Sequence, residues 1–264
     1  MDALRAGVAA KKAELDRLRP ISGAALRAVQ RHYDVELTYT SNAIEGNTLT
    51  LRETAEVIEH GITAGGKRLK EHLEAVDHHD ALLWMREVAG ARSVPLGEEI
   101  ARELHRRIVA RSEPSIAGAY SRLPRRIAGS AVVFPNPAKV PDLMRAFGAW
   151  LAEAPPTPEA AFEAHYRLTA IHPFADGNGR TARLLMNLVL LRGGYVPVAV
   201  RPEDRARYLD ALERASLRDD LTPFQALLHE RLDATLADYL AVLREALPPE
   251  GDAEDDSSPA PAAR

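Results

Sequence analysis

The residues best able to do chemistry stand in one short run, His172-Pro-Phe-Ala-Asp-Gly-Asn-Gly-Arg180, with Arg183 just beyond it. His172 supplies a side chain that acts as a base near neutral pH. Asp176 supplies a hard carboxylate of the kind that shares Mg2+ with phosphate oxygens. Gly177, Asn178 and Gly179 form a tight turn whose glycines let the backbone approach a ligand closely. That turn feeds a helix start, where N–H groups and the positive dipole end converge on one anion site. Arg180 and Arg183 lie three residues apart, share a helix face and can each grip phosphate oxygens. Two cations at the positive end of a helix are unfavourable unless an anion joins them. Taken singly, each feature has a plain structural explanation: a histidine after an apolar helix is usually a packing residue, and a Gly-Asn-Gly turn is a loop. Taken jointly, they supply base, metal ligand and phosphate cradle for chemistry at a phosphate ester.

These groups need rigid supports on both sides, and the apolar pattern provides them. Leu26, Val29, Tyr33 and Leu37 recur at three- and four-residue steps, as do Leu73, Val76 and Leu83 and then Ile100, Leu104 and Ile108, so the fold is predicted to be mainly α. Pro155, Pro156 and Pro158 precede a helix that should run to about Ile171 and be closed by Pro173, which sets His172 at a helix-to-loop junction. Leu184, Leu185, Leu188 and Leu191 resume the helical pattern after the glycine turn. Thr50 and Glu53 have the spacing of a capping box, with Gly61 as the stop. Residues 125–137 are rich in β-branched side chains, carry Gly129-Ser130 as a turn signal and end in prolines, which predicts a small β-hairpin. His72, His78, His79 and Asp80 fall in one helical stretch without identifiable partner ligands and read as a helix surface. After Leu247 the composition turns to Pro, Ala, Asp, Glu and Ser, too polar to repay ordering. The expected organisation is an N-terminal helical region over 1–65, a core over 66–247 and a disordered tail over 248–264.

The whole chain, 264 residues with 46% apolar and 27% charged side chains, has the balance of a soluble globular protein. A formal charge of -4 gives no electrostatic reason to expect nucleic acid as a partner. The absence of cysteine excludes disulfides and thiolate metal ligands. The start of the chain mixes charges among alanines, unlike a signal peptide, and Asn187 interrupts the apolar run that follows Arg183. No membrane association is expected, and the location expected is cytoplasmic.

The run from His172 to Arg183 resembles the signature of Fic-domain proteins, His-Pro-Phe-x-Asp-Gly-Asn-Gly-Arg-x-x-Arg, at every defined position. The similarity extends over roughly 38–228. Gly118, Tyr120, Ile127, Gly129-Ser130 and Met144 resemble the pattern through the family's flap, and Tyr208, Leu212 and Glu213 resemble the segment after its central helices. The resemblance implies a Fic-type helical core with a β-hairpin flap, transferring AMP from Mg-ATP to a Ser, Thr or Tyr hydroxyl of a protein, the chain itself included. It implies His172 as the base, Asp176 as the Mg2+ ligand, and Gly177, Asn178, Gly179, Arg180, Arg183 and Tyr208 as nucleotide contacts, with Arg183 chiefly on the γ-phosphate. Arg126, Ile127 and Ala128 of the flap are implied to pair with an extended target segment as an added strand. Pairing into homodimers is also frequent in the family. Ser216 stands where many relatives place an asparagine near the base, so ATP is the expected donor, with UTP, GTP or a choline-bearing nucleotide as alternatives.

Upstream, Ser41-Asn-Ala-Ile-Glu-Gly-Asn47 resembles the family's inhibitory motif, Ser/Thr-x-x-x-Glu-Gly/Asn. With Ser41 and Gly46 framing it, Glu45 is implied to form a bidentate pair with Arg183 and so to block the γ-phosphate. The same carboxylate suits a second chemistry, the hydrolytic removal of AMP from a target. A non-catalytic scaffold of the same shape would be marked by loss of the histidine or an arginine, and neither is lost.

Overall fold

A computed structural model of the chain describes residues 1–20, 23–127 and 129–246. Its ten α-helices are α1 (Asp2–Arg17), α2 (Gly23–Ile44), α3 (Leu51–His60), α4 (Leu69–Gly90), α5 (Glu98–Ile108), α6 (Val140–Glu153), α7 (Pro158–Ile171), α8 (Asn178–Arg192), α9 (Arg205–Arg218) and α10 (Thr222–Ala246). Helix α8, which carries both arginines, is the centre of the packing, with α7, α4, α5 and α2 all against it. Twelve of its fifteen residues are buried. A helix enclosed on all sides is a rigid base for the turn at its start. Asn187, the polar break in its apolar run, accepts from the Val198 N–H at 2.8 Å and donates to the Val198 carbonyl at 3.1 Å. It thereby satisfies the backbone of the extended segment that follows.

Local signals account for the helix ends that matter to the site. Thr157 accepts the Ala160 N–H at the start of α7, with Pro158 at the first helical position. The helix closes on His172, whose backbone is left-handed at φ 51°. A non-glycine residue held there is a constrained position, of the sort found at functional sites. The capping box forms as expected: Thr50 and Glu53 exchange hydrogen bonds, and Gly61 ends α3 at φ 67°.

Three expectations are corrected. No β-hairpin forms over 125–137: among the described residues the sole β-bridge is Tyr120 with Phe174, antiparallel. Pro124, Pro135 and Pro137 remove donors at both ends of the segment. Its backbone is held by side chains instead, with the Glu213 carboxylate accepting from Ala131 N–H at 2.9 Å and from the Ser130 hydroxyl at 3.2 Å. Second, His72 and His78 are buried in α4 rather than exposed on its surface. Third, the Glu45 contact with Arg183 runs through a single carboxylate oxygen rather than two. The flap residue Ala128 and the tail assigned to 248–264 lie outside the described residues. No helix of the described residues is long and apolar enough to cross a membrane.

Candidate active site

The glycine turn between α7 and α8 is clamped from inside. Asn178 is buried, its side-chain oxygen accepting from the Phe174 N–H and its amide donating to the Phe174 carbonyl, both at 2.9 Å. The side chain expected to contact nucleotide is therefore spent on shaping the loop, and only its backbone is left to the nest. Gly177, left-handed at φ 76°, is the N-cap of α8 and offers no side-chain cap to the first-turn N–H groups. Asp176 accepts from the Gly177 N–H at 2.7 Å and lies 3.4 Å from Arg180 Nη2. Its carboxylate is half exposed at the mouth of the loop.

His105, on α5, fixes this loop, and nothing in its sequence position signals that role. It donates through Nε2 to the Asp176 carbonyl at 3.0 Å and accepts the Gly118 N–H at Nδ1, also at 3.0 Å. Its ring stacks on Phe174 with centroids 3.7 Å apart. Both ring nitrogens are thus committed in the neutral form, and burial pushes the pKa down to about 4. The unfolded value is near 6.5, so the neutral ring contributes stability that is present above pH 6.5 and lost as pH falls toward 4. About 3 kcal/mol is expected to disappear across that window. Other buried histidines also lose stability on acidification, so urea unfolding at pH 7 and pH 4.5 should show a loss in His105→Gln that is smaller than in the wild type by most of that amount. Equal losses would contradict the assignment.

His172 sits on the other side of the loop, partly buried, with Phe134 stacked on its ring at 4.0 Å between centroids. Burial holds its pKa below the ordinary histidine value, against a backbone hydrogen bond to Thr169 and the nearby Glu45 and Asp176 carboxylates, which pull it up. The neutral form, the one able to accept a proton, is therefore favoured at neutral pH.

Both arginines are buried, at 2% exposure for Arg180 and 4% for Arg183. Arg183 donates from Nε to the Ser41 hydroxyl at 2.9 Å, from Nη2 to the Ser41 carbonyl at 2.8 Å, from Nη2 to Glu45 at 2.8 Å and from Nη1 to the Tyr208 hydroxyl at 3.3 Å. The Tyr208 hydroxyl lies 2.9 Å from His165 Nε2. Beside a buried guanidinium that histidine is neutral, its pKa pushed well down by burial and by Arg183. Tyr208, itself buried, thus braces Arg183 from behind. Arg180 is less well served, since its Nε and Nη1 find no hydrogen-bond partner. Its carboxylate partners stand 3.4 and 3.5 Å away, which leaves this buried cation able to donate to an added anion.

Glu45 reaches Arg183 across Gly179. A methyl group built on Gly179 would lie 2.3 Å from the Glu45 oxygen, so the missing side chain admits the carboxylate to the first turn of α8. Gly46, left-handed at φ 94°, ends the turn after α2. Arg126 and Ile127 are exposed in the flap, and no hydrogen bond or ion pair joins them to these groups among the described residues.

Asp176 is a fitting ligand for a divalent cation that arrives with phosphates. Among the described residues no group of three or more acidic or histidine side chains is placed to hold a metal by itself. One carboxylate completed by phosphate oxygens and water is the usual arrangement for Mg2+.

Residues 95–190 match the model of the Fic/DOC family. The chain is 37% identical over 219 residues to the protein adenylyltransferase Fic of Nematostella vectensis, covering 81% of this chain and 50% of that one. With the protein of the same name from Drosophila willistoni it shares 34% over 240 residues, or 89% and 47% of the two chains. It therefore spans about half the length of these curated relatives. Among solved structures, residues 134–508 of Fic-1 from C. elegans superpose with a TM-score of 0.79 at 33% identity, covering 90% of this chain and 70% of that one. A Fic-domain signaling protein from Bacteroides thetaiotaomicron superposes at 0.84 with 29% identity, covering 90% and 97%. On this sequence and structural similarity, joined to the loop geometry, the chain belongs to the Fic family.

Proposed function

We propose that this chain is a protein adenylyltransferase at rest in an inhibited state, its Glu45 carboxylate holding the Arg183 guanidinium that the γ-phosphate of ATP requires. The observation that carries the reading is the Arg183–Glu45 contact at 2.8 Å beside an intact set of His172, Asp176 and Arg180. The names of the curated relatives support the direction of the chemistry. Once Glu45 withdraws, the neutral His172 takes the proton of the incoming hydroxyl as its oxygen bonds to the α-phosphorus. The bond to the bridging oxygen breaks, and pyrophosphate leaves. Mg2+ held at Asp176 would neutralise phosphate charge. The backbone of 177–179 and the under-partnered Arg180 hold the phosphates, and Arg183, braced by Tyr208 and Ser41, takes the γ-phosphate. In the flap, Arg126, Ile127 and Ala128 would receive a target segment as an added strand. In this reading residues 66–247 are the catalytic core and 1–65 carry the inhibitory turn. A donor screen with the Glu45→Gly form, read by adduct mass, tests the proposal: an AMP adduct from ATP is expected, and a UMP, GMP or phosphocholine adduct in its place would overturn the choice of donor.

One observation favours a second activity at the same site. Glu45 bonds Arg183 through one oxygen only and lies close enough to His172 to raise its pKa. A carboxylate there is suited to orient water toward an AMP already attached to a target. Release of AMP from a modified target should then be lost in Glu45→Gly. Undiminished release by that variant would exclude the role.

A further inference from the structure

The Glu45 turn makes few side-chain contacts of its own. Its carboxylate makes one hydrogen bond, and Gly46 places no side chain against anything. Its backbone closes on the end of α2, with the Glu45 N–H donating to the Asn42 carbonyl and the Gly46 N–H to the Ala43 carbonyl, both at 3.0 Å, and Arg205 donating to the Ile44 carbonyl at 2.9 Å. What ties the turn to α4 is the next residue. Asn47 donates its amide to the Glu71 carbonyl at 3.0 Å and to Glu74 Oε2 at 3.1 Å, accepts the Leu49 N–H at 3.1 Å, and donates its own N–H to the Asn42 carbonyl at 3.1 Å. Thr48 N–H adds a bond to the Glu71 carboxylate at 2.8 Å. The other oxygen of Glu74, Oε1, faces Arg180 Nη1 at 3.5 Å, with Lys70 Nζ at 3.9 Å behind it. A single carboxylate on α4 therefore touches both the inhibitory turn and the phosphate-binding arginine.

We infer that Asn47 and Glu74 act as positioning residues for inhibition and nucleotide binding: Asn47 latches the Glu45 turn to α4, and the Glu74 carboxylate that receives the latch also poises Arg180. This rests on the proposed function for its catalytic readouts, though not for its structural one. Without the latch, Glu45 sits on a short turn ending in a left-handed glycine and loses the register that brings it across Gly179 to Arg183. Without the Glu74 charge, Arg180 keeps only Asp176 as a carboxylate partner, and its guanidinium loses the orientation in which it meets phosphate.

With Glu45 in place, Asn47→Ala should raise the initial rate of AMP transfer roughly tenfold, the scale of a lost hydrogen bond to a charged group. Asn47→Asp, which sets a second carboxylate against Glu74, should raise it further. In the Glu45→Gly background Asn47→Ala should give no further rise in rate, because the two residues act on one inhibitory step. Glu74→Gln in that background should raise the KM for ATP several-fold with kcat little changed. Amide exchange needs no catalysis: in Asn47→Ala the amides of Glu45, Gly46 and Asn47 should exchange roughly tenfold faster while those inside α8 stay protected. Unchanged exchange at 45–47, or an equal rate effect of Asn47→Ala with and without Glu45, would overturn the latch. A fall in kcat at constant KM would overturn the role of Glu74. If Glu45→Gly transfers nothing to any target, the catalytic proposal fails, and the exchange data still decide the latch.

Discussion

Replacing Glu45 with glycine is expected to raise the initial rate of AMP transfer at saturating Mg-ATP by roughly one to two orders of magnitude. The size follows from what is removed, a charge-assisted contact to a buried guanidinium that the γ-phosphate must otherwise displace. The sign follows from what remains. Arg183 keeps its bonds to the Ser41 hydroxyl, the Ser41 carbonyl and Tyr208, so losing Glu45 leaves the guanidinium positioned and newly available. An arginine held by Glu45 alone would become mobile, and the rate would gain little. Steady transfer assays of the two forms on one target measure the difference. Equal rates would mean that the contact does not govern access of ATP.

The second large effect lies at His172. In the Glu45→Gly background, His172→Ala should lower the transfer rate by about two to four orders of magnitude, the usual contribution of a positioned general base. ATP binding measured by calorimetry should change little, because in the proposed site the phosphates are held by the glycine turn and the two arginines, with the metal at Asp176. The pH profile of the Glu45→Gly form carries a further constraint. Burial depresses the His172 pKa, and removing Glu45 takes away one of the charges that raise it. The acid limb should therefore fall below the ordinary value of 6.5, with the rate flat across neutral pH. A limb centred at or above pH 7 would exclude His172 as the group that must be neutral.

Much of this site was legible in sequence because its parts are local. The glycine turn, its flanking helices and the pair of arginines lie within one stretch, where spacing alone predicts geometry. The Glu45 motif was legible only through resemblance, since an isolated carboxylate followed by glycine reads as a helix end. What escaped were residues defined by tertiary contact. His105 is one histidine on an amphipathic helix, and no spacing relates it to Asp176, 71 positions away. His165 and Phe134 likewise act through partners distant in sequence. The resemblance implies Asn178 as a nucleotide contact, whereas its side chain closes on Phe174, four residues back. The flap departs from expectation for a different reason. β-branched residues favour strands only where a neighbouring strand accepts their hydrogen bonds, and here prolines and the Glu213 carboxylate take up the backbone instead.

The central claim, that this loop moves a nucleotide rather than a phosphate, is most directly tested with ATP labelled at either the α- or the γ-phosphorus. Each is incubated with the Glu45→Gly form and a hydroxyl-bearing protein target in the presence of Mg2+. The account predicts that α-label becomes covalently attached, that γ-label does not, and that neither does once His172 is also replaced by alanine. Attachment of γ-label, or α-label that persists without His172, would contradict it.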